Sequence, residues 1–136
     1  MLRARTNLPT VLLLLRWADY LREGLGLRIP RVPVTLGDLV PPRVGQFDRR
    51  TRVITLDAGW VRASRAGGRW VSVLSVLLHE QVHLWAAVHA PGAESHGPEF
   101  LAKALSVGLT VGDDGVNTGF VPGGPFLTLL AARGVR

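Results

Sequence analysis

The feature that most constrains this chain is a long apolar segment that also carries polar side chains. Residues 69–89 are predominantly hydrophobic, and their length predicts one helix instead of a strand. The residues before position 79 are almost all apolar, which indicates that this helix is buried. Two histidines and a glutamate, His79, Glu80 and His83, interrupt the pattern. Burying such a trio is costly unless each group has a partner, so the sequence predicts one.

Residues 79–83 read His-Glu-Gln-Val-His, the HExxH pattern. Residues four apart on a helix lie on the same face, about 5–6 Å apart at Cβ, so His79 and His83 can bind one metal ion. The chain contains no cysteine, which excludes thiolate ligands. We therefore expect a zinc ion, with Glu80 within reach of a bound water as the general base. Hydrogen-bonded core histidines with a salt-bridged glutamate are the structural alternative.

Catalytic zinc usually takes three protein ligands and one water, and two histidines are candidates for the third place. His89 lies six residues after His83, the spacing of the metzincin pattern HExxHxxGxxH. The glycine that turns the chain in that pattern is Ala86 here, within good helical sequence. If the helix continues, His89 is rotated by roughly 240° from His83 and points away from the metal.

The other candidate, His96, follows a predicted corner. Pro91 and Gly92 turn the chain back after the long helix, and Pro98 can open the next one. Gly97 can take an unusual backbone conformation between them. We therefore predict His96, and not His89, as the third ligand.

Ligand histidines usually hydrogen-bond to a further group that fixes the ring. Glu94 and Glu99 flank His96 and are candidates for this role. The sequence is equally consistent with Glu94 as a solvated loop carboxylate and with Glu99 as a carboxylate at the N-terminus of a helix.

The remaining pattern predicts a small α+β domain, residues 1–136, with its core over about residues 8–107 and a glycine-rich C-terminal segment, residues 108–136. We expect an antiparallel sheet whose hairpin turns near residues 48–51. Residues 108–125 are predicted to be a plain connecting loop or a set of tight turns. The other predicted elements are a helix over 8–23 with Pro9 in its first turn, an edge strand over 31–36, a hairpin over 44–57, and helices over 98–107 and 126–132.

The chain is basic, with a formal charge of +6, and all but one of its 16 basic residues are arginine. Residues 48–69 hold six arginines against two aspartates, which favours an acidic partner such as DNA. A solvated hairpin tip with exposed arginines is the alternative reading. The predicted DNA contacts are Arg49, Arg50, Arg52, Arg62, Arg65 and Arg69.

The N-terminus does not read as a signal peptide, because Arg16 ends the apolar run Val11–Leu15 and no small-residue cleavage site follows. No stretch reaches the roughly 18 apolar residues that a membrane span needs. We therefore expect a cytoplasmic protein without a membrane partner.

The motif HEQVH at 79–83 with HGPEF at 96–100 resembles the SprT-like metallopeptidases, the group that includes Spartan. The segment GQFDRRTRVITLD at 45–57 resembles the hairpin that precedes their catalytic helix, and the likeness covers about residues 8–107. It implies a zincin-like α+β domain and a zinc-dependent endopeptidase, with His79, His83 and His96 as ligands and Glu80 as the catalytic acidic residue. Members of this family cleave proteins attached to DNA.

Two other functions fit the sequence. One is a zinc-stabilised DNA-binding module without peptidase activity. The other is a peptidase with a different target, such as a repressor or a processing substrate, that uses the glycine-rich segment as a lid. The sequence does not decide between these targets.

Overall fold

The computed structural model describes residues 2–112 and 118–135 of the chain. Within them the fold is α+β, as predicted. The helices are α1 (Leu2–Gly24), α2 (Ala58–Ala66), α3 (Trp70–His89), α4 (Pro98–Ser106) and α5 (Pro125–Ala132). The strands are β1 (Val34–Gly37), β2 (Gly45–Asp48), β3 (Val53–Asp57), β4 (Leu109–Val111) and β5 (Thr118–Phe120).

The larger sheet is mixed, with the strand order β1-β3-β2. β2 and β3 form the predicted antiparallel hairpin, with Phe47 opposite Ile54. β1 runs parallel to β3, with Val34 also opposite Ile54. The expectation of a purely antiparallel sheet is therefore wrong, because the chain reverses direction twice between β1 and β3. β1 lies at one edge, as Pro33 indicated, and β2 forms the other.

Buried side chains of β1, β3 and β4 and of all five helices form one hydrophobic core around α3. Half of the 20 residues of α3 are buried. Among the described residues, α3 alone is long and apolar enough to cross a membrane, with a mean hydropathy of 1.3, so the expectation that no stretch reaches this length is wrong. Its apolar composition is accounted for by the helices and strands that pack around it.

The first helix is longer than its sequence pattern suggested. α1 begins at Leu2, so Pro9 lies inside the helix, and its placement in the first turn is wrong. α1 is joined to α3 by Gln81, whose side-chain amide donates a 2.9 Å hydrogen bond to the carbonyl of Ala18. It is joined to α5 by Tyr20, whose hydroxyl donates to the Leu129 carbonyl at 2.7 Å.

The sequence patterns did not predict α2, which begins directly after β3 because Asp57 caps it. One carboxylate oxygen of Asp57 accepts a hydrogen bond from the backbone N–H of Trp60 at 2.9 Å. The other accepts from the N–H of Leu39, also at 2.9 Å. These two bonds hold the pKa of Asp57 below its ordinary value, with that from Leu39 contributing most. Asp57 thereby fixes the loop at residues 38–43, which borders the site described below.

The glycine-rich segment is more ordered than a plain connecting loop. β4 and β5 pair as an antiparallel hairpin, with Leu109 opposite Phe120 and Val111 opposite Thr118. The loop prediction is therefore wrong for these six positions. Gly115 and its neighbours, residues 113–117, lie outside the described residues. The helices predicted on either side of the segment, α4 and α5, are confirmed.

Candidate metal centre

Two of the predicted ligands lie one helical turn apart on α3. The ring centroids of His79 and His83 are 5.0 Å apart. His79 is 5% exposed, and most residues of the surrounding helical turns are buried in the core. The i, i+4 spacing thus gives the shared face that the sequence predicted.

His96 reaches this face from the corner between α3 and α4. Its backbone is left-handed, with φ of 56°, a conformation that histidine adopts more readily than most side chains. The expectation that Gly97 carries the unusual backbone is wrong, since Gly97 is extended at φ −79° and ψ −174°. Glycine at position 97 lets the backbone pass close to Glu94, because a Cβ there would lie 3.0 Å from the Glu94 carbonyl oxygen. Pro98 then opens α4, as predicted.

The three imidazoles converge through the same ring nitrogen. His96 Nε2 lies 3.1 Å from His79 Nε2 and 3.0 Å from His83 Nε2. The ligand atoms of all three lie within 4.8 Å of one another, so the cluster could hold a metal ion. Nitrogen ligands at about 2.05 Å from a tetrahedral zinc ion are roughly 3.3 Å apart. The imidazoles would therefore have to move apart by only about a few tenths of an ångström to accommodate the ion.

The ring of Phe100 on α4 packs against all three imidazoles. Its ring centroid lies 4.3 Å from that of His83, 4.9 Å from that of His96 and 5.1 Å from that of His79. Phe100 is 1% exposed, so the ring also belongs to the core. Because it contacts all three imidazoles, it restricts their rotation.

Burial keeps the three histidines neutral. It lowers the pKa of His79 to about 4, with His96 adding a smaller repulsion. It also lowers the pKa of His83 to about 3, with repulsion from His79 and His96 adding to it. The pKa of His96 is lowered by burial as well. The neutral imidazole is the form that binds a metal ion, so near neutral pH protons compete weakly for the site.

Glu80 lies beside the cluster and is 6% exposed. Burial raises the pKa of its carboxyl to about 8, and the positive charge of Arg43 opposes this shift. β2 passes directly over the carboxylate at Gly45, where an added Cβ would lie 2.9 Å from Glu80 Oε2. It would also lie 2.5 Å from Val76 Cγ1, so only glycine permits this approach.

The cluster and Glu80 open onto a cleft of about 900 Å³. The loop at residues 38–43 and β2 line it together with α3 and the corner at residues 93–96. Arg49, which also lines the cleft, joins the β2–β3 turn to the chain just after α3, since its guanidinium donates a 3.1 Å hydrogen bond to the Pro91 carbonyl. The open face of the cluster therefore meets a space large enough for a peptide segment.

The other candidates from the sequence lie outside the cluster. His89 Nε2 donates to the Arg28 carbonyl at 2.8 Å, so this ring points away from the three imidazoles. Neither Glu94 nor Glu99 hydrogen-bonds to a histidine within the part of the chain that the structure describes. The arginines proposed to contact DNA are all exposed: Arg49, Arg50, Arg52, Arg62, Arg65 and Arg69.

The structure adds Thr118, a residue that the sequence patterns did not single out. Its hydroxyl oxygen lies 2.9 Å from His79 Nδ1, the ring nitrogen that faces away from the cluster. The available signal was the β-branched content of residues 109–111 and 118–120, which favours strands over a loop. The packing of β5 on α3 is a long-range contact that local patterns do not specify.

The arrangement was compared with known proteins in three ways. A scan against protein-family models found no match, and neither a search of curated proteins nor a search of solved structures found one.

Proposed function

We propose that this chain is a zinc-dependent endopeptidase with a zincin-like domain of the SprT-like type. The observation that carries the proposal is the convergence of three neutral imidazoles beside a buried carboxylate at one open cleft. Three protein ligands with a free fourth position are typical of catalytic zinc, whereas structural sites are closed. His79, His83 and His96 would hold the ion, and the HExxH spacing favours zinc over other metals that imidazole binds.

The chemistry divides between the ion and Glu80. A bound zinc ion supplies Lewis acidity, which acidifies water and polarises a peptide carbonyl. The positive charge of the bound ion would favour the ionised form of Glu80 over the protonated form that burial alone favours. Ionised Glu80 would accept a proton from the attacking water and deliver it to the nitrogen of the leaving amine. Peptide hydrolysis consumes one water, and this single transfer accounts for the proton that the new amine gains. The burial of Glu80 keeps bulk water from competing for that proton.

The edge of β2 supports a peptide as the substrate. The backbone N–H of Asp57 donates to the Val44 carbonyl, so Val44 faces β3. Because successive residues of a strand face opposite ways, the backbone groups of Gly45 and Phe47 face the open edge. An extended peptide that pairs with this edge would cross the cleft beside Glu80.

The order of the elements supports the family assignment. The hairpin β2–β3 precedes α3, which carries HEQVH, and α4 begins within HGPEF. This is the order that the resemblance to SprT-like peptidases implies. The hairpin and both helices also border the proposed site.

Metal removal tests the proposal directly. The purified protein is expected to contain about one zinc ion per chain and to cleave an unfolded protein such as casein. Treatment with 1,10-phenanthroline should abolish cleavage, and added zinc should restore it. The isomer 1,7-phenanthroline, which does not chelate, should leave the rate unchanged. Cleavage that survives chelation would overturn the role of zinc, and a zinc-loaded protein inert toward unfolded proteins would overturn the peptidase.

One observation favours DNA as a further partner. The turn between β2 and β3 carries Arg49, Arg50 and Arg52, all exposed, and Arg49 lines the proposed catalytic cleft. Basic side chains beside a cleft attract a polyanion and would hold DNA-bound substrates near the site. The same surface is compatible with a zinc-stabilised DNA-binding module that lacks peptidase activity.

Gel shifts with duplex DNA at two salt concentrations test this partner. With about three phosphates neutralised, affinity should fall roughly 40-fold between 50 and 200 mM salt. The double variant Arg50→Gln/Arg52→Gln should bind more weakly and reduce the salt slope by about two. The control Arg16→Gln/Arg133→Gln changes the net charge equally, away from the turn. No shift at low salt, or equal weakening in both double variants, would exclude this surface as the DNA site.

A further inference from the structure

The C-terminal hairpin reaches the metal centre through one side chain. Thr118, the first residue of β5, places its hydroxyl oxygen 2.9 Å from His79 Nδ1. We propose that Thr118 is a positioning residue that fixes the ring and the tautomer of His79 for metal binding. The proposal rests on the metal site of the proposed function and is independent of peptide cleavage.

The tautomer follows from the two faces of the His79 ring. Its Nε2 faces the cluster, 3.1 Å from His96 Nε2, so this nitrogen must be free of hydrogen to bind an ion. The ring's one proton then resides on Nδ1 and needs an acceptor. The Thr118 hydroxyl oxygen is that acceptor, and Nδ1–H donates to it. The reverse arrangement would leave a proton on Nε2 and block the site.

The hairpin holds Thr118 firmly enough for this role. Thr118 pairs with Val111, and at the other end of the hairpin the Val121 N–H donates to the Gly108 carbonyl at 2.8 Å. Gly108 has φ of 96°, and a Cβ there would lie 3.0 Å from the backbone nitrogen of Phe126. The glycine therefore allows α4, the hairpin and α5 to meet closely. Its position explains part of the glycine content of this segment.

This contact gives the glycine-rich segment a function at the site. A partner of a ligand histidine typically contributes 10–100-fold to metal affinity. Glu94 and Glu99, the candidates that sequence proximity suggested, make no such bond in the described part of the chain. The segment would thus support the metal centre through Thr118.

Zinc affinity of three variants tests the proposal, measured by competition with a chromophoric chelator. Thr118→Val keeps the shape and β propensity but lacks the hydroxyl, and should weaken zinc binding about 10–100-fold. Thr118→Ser keeps the hydroxyl and should restore affinity to within about threefold of wild type. Thr110→Val makes the same change at an exposed position of the same hairpin and should leave affinity unchanged. Equal affinity of the Thr118→Val variant and the wild type would overturn the role.

A second measurement needs no variant. Long-range 1H–15N spectra of the metal-free wild-type protein should show His79 as the Nδ1–H tautomer. The Nε2–H tautomer would refute the proposal even if Thr118→Val failed to fold. This readout is made without zinc, so it tests the role of Thr118 alone. The proposed function fails separately, if the protein binds no metal.

Discussion

Glu80→Gln should reduce peptide cleavage by at least about 100-fold and leave zinc binding intact. Glutamine matches glutamate in size and shape, so the close approach of β2 at Gly45 can persist. Its amide cannot accept the proton of the attacking water. General base catalysis typically contributes 10²–10⁴-fold, which sets the expected range. Zinc stays bound because the ligands are the three imidazoles and not the carboxylate.

The same substitution should not lower the free energy of unfolding. Burial disfavours the ionised form of Glu80, which is why its pKa is raised to about 8. A neutral amide of the same shape avoids that penalty. Loss of activity in a protein that melts at or above the wild-type temperature therefore cannot be ascribed to unfolding.

Cleavage of casein, zinc content and thermal unfolding should be measured on the same preparation. Glu99→Gln is the matched control. It makes the same chemical change at an exposed residue in the first turn of α4. It should retain the wild-type rate. A rate for Glu80→Gln within tenfold of wild type would refute the general base. Loss of zinc in this variant would instead make the carboxylate a ligand or a support of the site.

The parts of the site that depend on local backbone geometry could be predicted from the sequence. His79 and His83 share a face because α3 is a continuous helix, and its apolar length predicts that helix. His89 points elsewhere for the same reason. The corner that brings in His96 follows from the proline and glycine residues around it. In each case a few adjacent residues determine the direction of the side chain.

The missing parts depend on contacts between distant segments. Thr118 lies 39 residues from His79, and only the packing of β5 on α3 brings the two together. The parallel pairing of β1 with β3 is likewise decided by the whole sheet. From local propensity, Gly45 is a weak strand residue. In the fold, β2 passes so close to Glu80 that a side chain at position 45 would clash. Local propensity carries no information about such approaches.

His96→Asn should lower zinc affinity by about 100-fold or more, whereas His89→Asn should leave it unchanged. Apparent binding free energies of about 10–16 kcal/mol for four-ligand zinc sites correspond to roughly 3 kcal/mol per ligand, or about 100-fold. Asparagine suits position 96 because it tolerates the left-handed backbone that His96 adopts at φ 56°. The corner should therefore keep its shape while the imidazole is lost.

His89 is the matched control, since the same substitution removes an imidazole that bonds to the Arg28 carbonyl and not to the cluster. Zinc content after dialysis and affinity from chelator competition measure both variants, and circular dichroism checks that each is folded. If His89→Asn lost the metal and His96→Asn kept it, the ligand set would be wrong. If neither variant lost it, the ion would lie outside this cluster, because two imidazoles on α3 do not match the affinity of three. The expected pattern requires all three Nε2 atoms to act together, as their 3.0–3.1 Å separations indicate.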